Sequence, residues 1–254
     1  MLGEGEWTSF VPFNELPRVL NPPRNFIASS NQRAYPREYP YYLSTEWDPS
    51  YRARRVYTVL YQTYGAKVED LMRLQLDYYE VLAERIVPVL IEEYDKKPFG
   101  DSLVAQAIEI LRNLDYRMEK TGVAPTIWYY WFKTYRNYIW LDEWKYYEIT
   151  ADYTWGHNSL NMWKPLLEYT EYITREVPNS PWFDNISTTE IVENRTIIMR
   201  RSFIDAINKF KSDMGENVEE RKWEKINKLY VEHMSGITEF SRGPYPLSGA
   251  LKLK

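Results

Sequence analysis

The chain has 254 residues, 27% of them charged and 44% hydrophobic, with a formal net charge of −4. That composition excludes a disordered chain, and the slight acidic excess provides no broad basic face for nucleic acid. With no cysteine and two histidines, disulfides, thiolate chemistry and cysteine-based metal sites are excluded, and any histidine-dependent triad must use His157 or His233.

No uninterrupted apolar run is long enough to span a membrane as a helix. Prolines crowd the first 49 residues, which predicts loop and strand there. Trp7-Thr8-Ser9-Phe10-Val11 and Phe26-Ile27-Ala28-Ser29-Ser30 read as short strands. Between them, Asn21-Pro22-Pro23-Arg24-Asn25 reads as a turn in which Asn25 takes a left-handed conformation. From Asp48 the period changes. Asp48 as N-cap and Pro49 behind it open a helix carrying Val56, Leu60 and Tyr64, stopped at Gly65. A second helix is expected over 67–94, with Val68, Met72, Tyr79, Ala83, Ile86 and Leu90 as its stripe and a kink at Pro88. A third starts at Asp101 and uses Val104, Ala107, Ile108 and Leu111. A fourth starts at Pro125 and uses Trp128, Trp131, Phe132, Tyr135 and Ile139.

Farther on, a helix is expected over 160–175. The capping-box pattern Ser187-Thr188-Thr189-Glu190 predicts the start of another, carrying Val192, Met199, Phe203, Ala206 and Phe210. Asn217 with Glu220 predicts a last helix with Trp223, Ile226 and Tyr230, and the tail from Ser241 has no clear period. The fold class is therefore α+β and mostly helical. The expected organisation is a strand-and-loop segment over 1–47, a helical region over 48–240, and a short return over 241–254.

Four groups of residues could carry chemistry. Asn31 sits at the end of the second expected strand, with Arg33, Arg52, Arg54 and Arg55 close in sequence. A side-chain amide there can point an N–H at a developing oxyanion, and an Arg on the next helix can orient it. Spacing alone favours the simpler reading of a turn Asn beside solvated arginines. The aromatic pairs Tyr41-Tyr42, Tyr78-Tyr79, Tyr129-Tyr130 and Tyr146-Tyr147 could line a pocket or stack on sugars, but most lie on helical stripes and read as core. His157 and His233 have no ligand-spaced partner, and Glu69-Asp70, Glu92-Glu93 and Glu219-Glu220 read as solvated helix faces. Asn185-Ile186-Ser187 and Asn194-Arg195-Thr196 match the glycosylation pattern, which matters only for an exported chain.

The run Val11-Pro12-Phe13-Asn14-Glu15-Leu16-Pro17-Arg18-Val19-Leu20-Asn21-Pro22-Pro23, followed by Phe26-Ile27-Ala28-Ser29-Ser30-Asn31-Gln32-Arg33, resembles the penicillin acylase (penicillin amidase) family. Tyr39-Pro40-Tyr41-Tyr42-Leu43, Trp47, Pro49, Tyr51-Arg52-Ala53 and Arg55-Val56 continue the resemblance, and Glu69-Asp70-Leu71, Leu74-Gln75 and Asp77 extend it. The family belongs to the N-terminal nucleophile hydrolases, which cleave their own precursors. The resemblance implies an αββα core of which this chain holds about two strands, followed by a large helical region. It implies hydrolysis of linear amides, such as removal of an acyl group from a β-lactam nucleus or from a homoserine lactone. The hydroxyl of an N-terminal Ser attacks, and that residue's own α-amine acts as base. By resemblance, Asn31 takes the place of the oxyanion Asn and Arg55 that of the supporting Arg on the next helix.

The chain departs from the family pattern at several places. No Gly-Ser self-cleavage junction or nucleophile Ser precedes the run, so the chain resembles an internal β-chain segment. The implied partners are the α chain and the N-terminal part of the β chain, from the same precursor or a neighbouring gene. Gln32 stands for the second Asn of the usual pair, Asn25 for a Gly and Asn227 for a His. Some members bind calcium partly through an Asp soon after the oxyanion Asn. The stretch Tyr39-Pro40-Tyr41-Tyr42-Leu43 holds no Asp, so no cofactor is expected. Members are often exported, yet Met1-Leu2-Gly3-Glu4-Gly5-Glu6 has no basic, apolar signal pattern, which leaves the compartment open. The alternative reading is a non-catalytic relic or a helical interaction module of the same family. A free-standing sugar-binding helical domain rests on aromatic content alone.

Overall fold

The computed structural model describes residues 9–44, 47–146, 164–215, 217 and 221–249. Seven α-helices account for most of them: α1 (Tyr51–Gln62), α2 (Val68–Gln75), α3 (Val81–Lys96), α4 (Ser102–Arg112), α5 (Ala124–Tyr146), α6 (Lys164–Glu176) and α7 (Arg195–Met214). Two strands, β1 (Lys228–Val231) and β2 (Arg242–Pro246), form an antiparallel hairpin. The chain is thus mostly helical α+β, as its sequence indicates.

The core is built around α5. Its residues Trp128, Trp131, Phe132, Tyr135 and Ile139 recur at helical spacing, and all five are buried. Helix α7 lays Phe203, Ala206, Ile207 and Phe210 against it, with the Trp131 and Phe203 ring centroids 5.8 Å apart. Ile86 and Leu90 of α3 and Val104, Ile108 and Leu111 of α4 close the same cluster. Two indole N–H groups inside it are satisfied, Trp131 Nε1 donating to Ser202 Oγ (3.3 Å) and Trp140 Nε1 to Thr170 Oγ1 (3.0 Å). The aromatic surplus of these helices is therefore packing material.

Four local expectations are corrected. The helix expected over 67–94 is broken at residues 76–80. There the backbone bonds sideways to the 116–118 segment: Met118 N–H donates to the Tyr78 carbonyl (3.0 Å), and Glu80 N–H to the Tyr116 carbonyl (2.8 Å). Asp77 and Glu80 turn their carboxylates onto the amides of Tyr79 and Leu82, as capping residues do. The pattern Ser187-Thr188-Thr189-Glu190 opens no helix. Ser187 is engaged by the Asn185 side chain instead, and α7 begins at Arg195 behind an Asn194 cap, whose Oδ1 accepts Ile197 N–H (3.1 Å). Tyr230 lies in β1 rather than in a last helix, and the tail from Ser241 is strand β2. Residues 26–30 join no sheet among the described residues. Burial still alternates along them, with Phe26, Ala28 and Ser30 turned inward and Ile27 and Ser29 outward, the period of a strand without a partner.

That unpaired segment lies along α1. The Phe26 ring packs edge-on against Tyr57 (5.4 Å) and Tyr61 (5.1 Å), and the Tyr57 hydroxyl donates to the Ala28 carbonyl (3.2 Å). Asn25, at φ 58°, is left-handed as expected, which fits a position where the family carries Gly. Among the described residues, no helix is long and apolar enough to cross a membrane.

Candidate active site

The residues of interest meet where the segment running along α1 ends. Asn31 also has positive φ, 63°, a backbone state that Asn reaches more readily than most residues. Its carbonyl accepts the Asp48 N–H (2.8 Å), so the 31–48 loop closes at its neck. Inside the loop, Tyr35 packs against Tyr39 (5.0 Å) and Trp47 (5.5 Å). Gln32 folds back so that its Oε1 accepts the Ser30 N–H (2.6 Å). Asn31 thereby stands at the exposed lip of a closed loop, with its side chain facing α1.

The arginine on that side chain is Arg52. One of its Nη2 contacts is Asn31 Oδ1 (2.8 Å), and others are the Ser30 carbonyl (3.0 Å) and Asp48 Oδ2 (2.8 Å). A guanidinium carries only donors, so it faces the carbonyl end of the amide and turns Nδ2 away from α1. Asp48, one turn back on the helix approach, holds the guanidinium in place.

Arg55, placed in the supporting role by resemblance, has different contacts. Its Nε and Nη2 reach Asp77 Oδ2 at 3.0 and 2.6 Å, and its guanidinium lies 4.4 Å from the Tyr79 ring centroid. Burial pushes the Asp77 carboxyl up. Hydrogen bonds from Arg55 and the Tyr79 N–H, with the charge of Arg117, outweigh burial and hold it below the usual carboxylate range. The break between α2 and α3 is what brings Asp77 to this place, so Arg55 ties α1 to the bundle.

The remaining sequence candidates have structural places. His233 is exposed, its Nδ1 against Ser235 Oγ (2.8 Å) and its ring edge-on to Phe240 (5.3 Å); His157, Tyr147 and Glu219-Glu220 lie outside the described residues. Asn227, which stands for a His, is buried. It stitches the tail down by donating Nδ2 to the carbonyls of Leu247 (3.0 Å) and Gly249 (2.9 Å). Glu93 corrects the expectation of a solvated face. It is buried and bonded to Arg195 (2.9 Å) and Thr196 (2.6 Å). Among the described residues, no group of three or more His, Cys, Asp or Glu side chains converges as a cation site requires.

The sequence that builds this site has relatives among known proteins. Over 75 residues, 30% of this chain and 10% of its relative, the chain is 35% identical to the "Penicillin acylase 2 proenzyme" of Pseudomonas sp. (strain SE83). It is 22% identical to the "Acyl-homoserine lactone acylase QuiP" of Pseudomonas syringae pv. syringae (strain B728a), over 97% of this chain and 31% of that protein. With the protein of the same name from Pseudomonas syringae pv. tomato (strain ATCC BAA-871 / DC3000), the identity is 21% over 89% of this chain and 28% of the relative. The chain thus spans less than a third of the length of these relatives. The family model described as penicillin amidase matches residues 2–253, and the chain belongs to that family.

Proposed function

We propose that this chain forms the oxyanion-donor wall and the helical region of an amide hydrolase that cleaves an acyl group from an amine. Asn31 donates Nδ2–H to the oxygen of the tetrahedral intermediate, and Arg52 is the positioning residue that fixes the amide. The nucleophile is an N-terminal Ser supplied with the α chain and the first part of the β chain. Its hydroxyl adds to the amide carbon while its own α-amine takes the proton, and the amine leaves with that proton. A water activated by the same α-amine then cleaves the acyl-Ser ester to release the carboxylic acid and restore the hydroxyl. Negative charge peaks on the former carbonyl oxygen, where a preset donor lowers the barrier by about 3 kcal/mol. The acyl group is that of a penicillin-type amide or an N-acyl homoserine lactone, the two substrate types in the names of the relatives.

One observation supports this most strongly: a left-handed Asn31 whose Oδ1 is taken by Arg52, leaving its N–H end turned outward. The reading is tested on the protein purified from its native source with any chains that accompany it, assayed on a phenylacetyl anilide and an N-acyl homoserine lactone. Asn31→Ala is expected to lower kcat by about 10²–10³ with little change in KM. Arg52→Ala is expected to lower kcat less, with partial rescue by Arg52→Lys. Full activity in Asn31→Ala overturns the role. A preparation active on neither amide favours the second reading, an interaction module, which the exposed Phe10, Phe13 and Leu20 also fit.

A further inference from the structure

We propose that Asn185 is an N-glycosylation acceptor, and that Asn194, in the same sequence pattern, is not. The two sites share a loop-to-helix segment but differ in what their side chains already do. Asn185 lies in the loop between the short turn Pro181–Phe183 and α7. Its Oδ1 accepts two hydrogen bonds from Ser187, one from the backbone N–H (3.0 Å) and one from the hydroxyl (2.6 Å). Its own backbone is pinned, the N–H by Glu193 (3.2 Å) and the carbonyl by Thr188 N–H (2.9 Å). Ile186, Ser187 and Thr188 nevertheless face solvent. Asn185 itself is half-buried, but among the described residues nothing accepts a hydrogen bond from its Nδ2, so the acceptor atom is uncommitted beside an exposed hydroxyl.

Asn194 is committed elsewhere. Its Oδ1 caps α7 by accepting Ile197 N–H (3.1 Å), and its carbonyl accepts Ile198 N–H (3.0 Å). The Thr196 hydroxyl, which a transferase would need beside the acceptor, is bonded to the buried Glu93 carboxylate (2.6 Å). Arg195, between the two, holds the same carboxylate (2.9 Å). Turning this segment into an acceptor loop would unwind the first turn of α7 and strip a buried carboxylate of two partners.

The geometry at Asn185 suits the chemistry. An amide nitrogen is a poor nucleophile because its lone pair is shared with the carbonyl. Two donors on Oδ1 stabilise the negative charge that builds on that oxygen as Nδ2 loses a proton. In the step, Nδ2 bonds to the anomeric carbon of a polyprenyl-diphosphate-linked sugar. The bond from that carbon to the diphosphate oxygen breaks, its electron pair leaves on the diphosphate, and the Nδ2 proton passes to a carboxylate base of the transferase. Such transfer takes place outside the cytoplasm, so the proposal includes export of the chain.

The test is peptide mass mapping of the protein purified from its native source. Cleavage after glutamate separates the sites, because Glu190 and Glu193 lie between them. The Asn185 peptide is expected to carry the mass of one or more hexose or N-acetylhexosamine units, and the Asn194 peptide none. The added mass is expected to vanish in Asn185→Gln and Ser187→Ala and to persist in Ser187→Thr. An unmodified Asn185 peptide in the native protein, or equal occupancy at Asn194, overturns the proposal.

Discussion

In the bundle, Trp131, Phe132, Tyr135 and Ile139 are wholly buried, while in the arm ahead of α1, Phe10, Phe13 and Leu20 are 97, 84 and 85% exposed. Both stretches are rich in large apolar residues. The difference lies in what surrounds them. The α5 stripe meets α4 and α7, and α3 packs on both of these, so that the four helices share one contiguous core. The arm touches α1 along one edge through Phe26 and the Ala28 carbonyl, and among the described residues its backbone joins no sheet. Asn31 stands where that arm reaches the helices, so one side of the proposed site is a packed helix and the other is held by a few polar contacts.

Substitutions in the two regions should separate them. Trp131→Ala has the largest expected effect, about 3–5 kcal/mol of stability, because it empties the middle of a close-packed core. The urea midpoint of the purified chain measures it, and a loss as small as a surface change would mean the bundle is not the stabilising unit. Asp77→Asn comes next. It removes the charge that holds Arg55, at an expected cost of about 1–3 kcal/mol, and frees α1 from the break between α2 and α3. The Asp77 carboxyl is depressed in the folded chain. Its contribution is therefore complete above the ordinary carboxylate range and lost as pH falls through the folded value. A plot of stability against pH should show a smaller acid loss in Asp77→Asn than in the parent, the remainder coming from depressed carboxyls such as Glu93 and Glu193.

Glu80 titrates with the opposite sign. Burial raises its carboxyl to about 7, against the lowering effect of the Leu82 N–H. The folded chain thus holds a proton that the unfolded chain has released, and stability is expected to fall as pH rises from about 4.5 to 7. Glu80→Gln should flatten that slope, and an unchanged slope would remove Glu80 as its source. The smallest effect is expected at Ile27, which is 62% exposed. Ile27→Ser should change the stability of the isolated chain by less than about 0.5 kcal/mol. The same change should lower the affinity for any polypeptide that covers the arm. A large destabilisation of the isolated chain would show that the arm is already part of the core.

Helices α4 and α5 were legible from the sequence because local and tertiary signals coincide there. Asp101 caps α4 through the Leu103 and Val104 N–H groups, and the α5 stripe faces the core that its period indicates. The role proposed for Asn31 rests on resemblance, since a turn Asn and an oxyanion donor look alike in spacing, and the structure adds its positive φ and its contact with Arg52. Arg52 and Arg55 show why contacts were not legible. Both lie on α1, and the choice between them depends on Asp48 behind one and on Asp77, brought in by a distant helix break, beside the other.

The sequence by itself determined the helical class, the central aromatic helix and the left-handed turn at Asn25, all set by residues within one or two turns of one another. Only the tertiary structure decided the break at 76–80, the capping role of Asn194 and the pairing of β1 with β2. A Cβ at Gly243 would collide with the Leu229 carbonyl oxygen of the facing strand, a constraint that exists only once the two strands meet. At the break and in the hairpin a backbone group found its partner far along the chain, and at Asn194 one local helix start prevailed over another at Ser187–Glu190; local periodicity carries no record of either outcome.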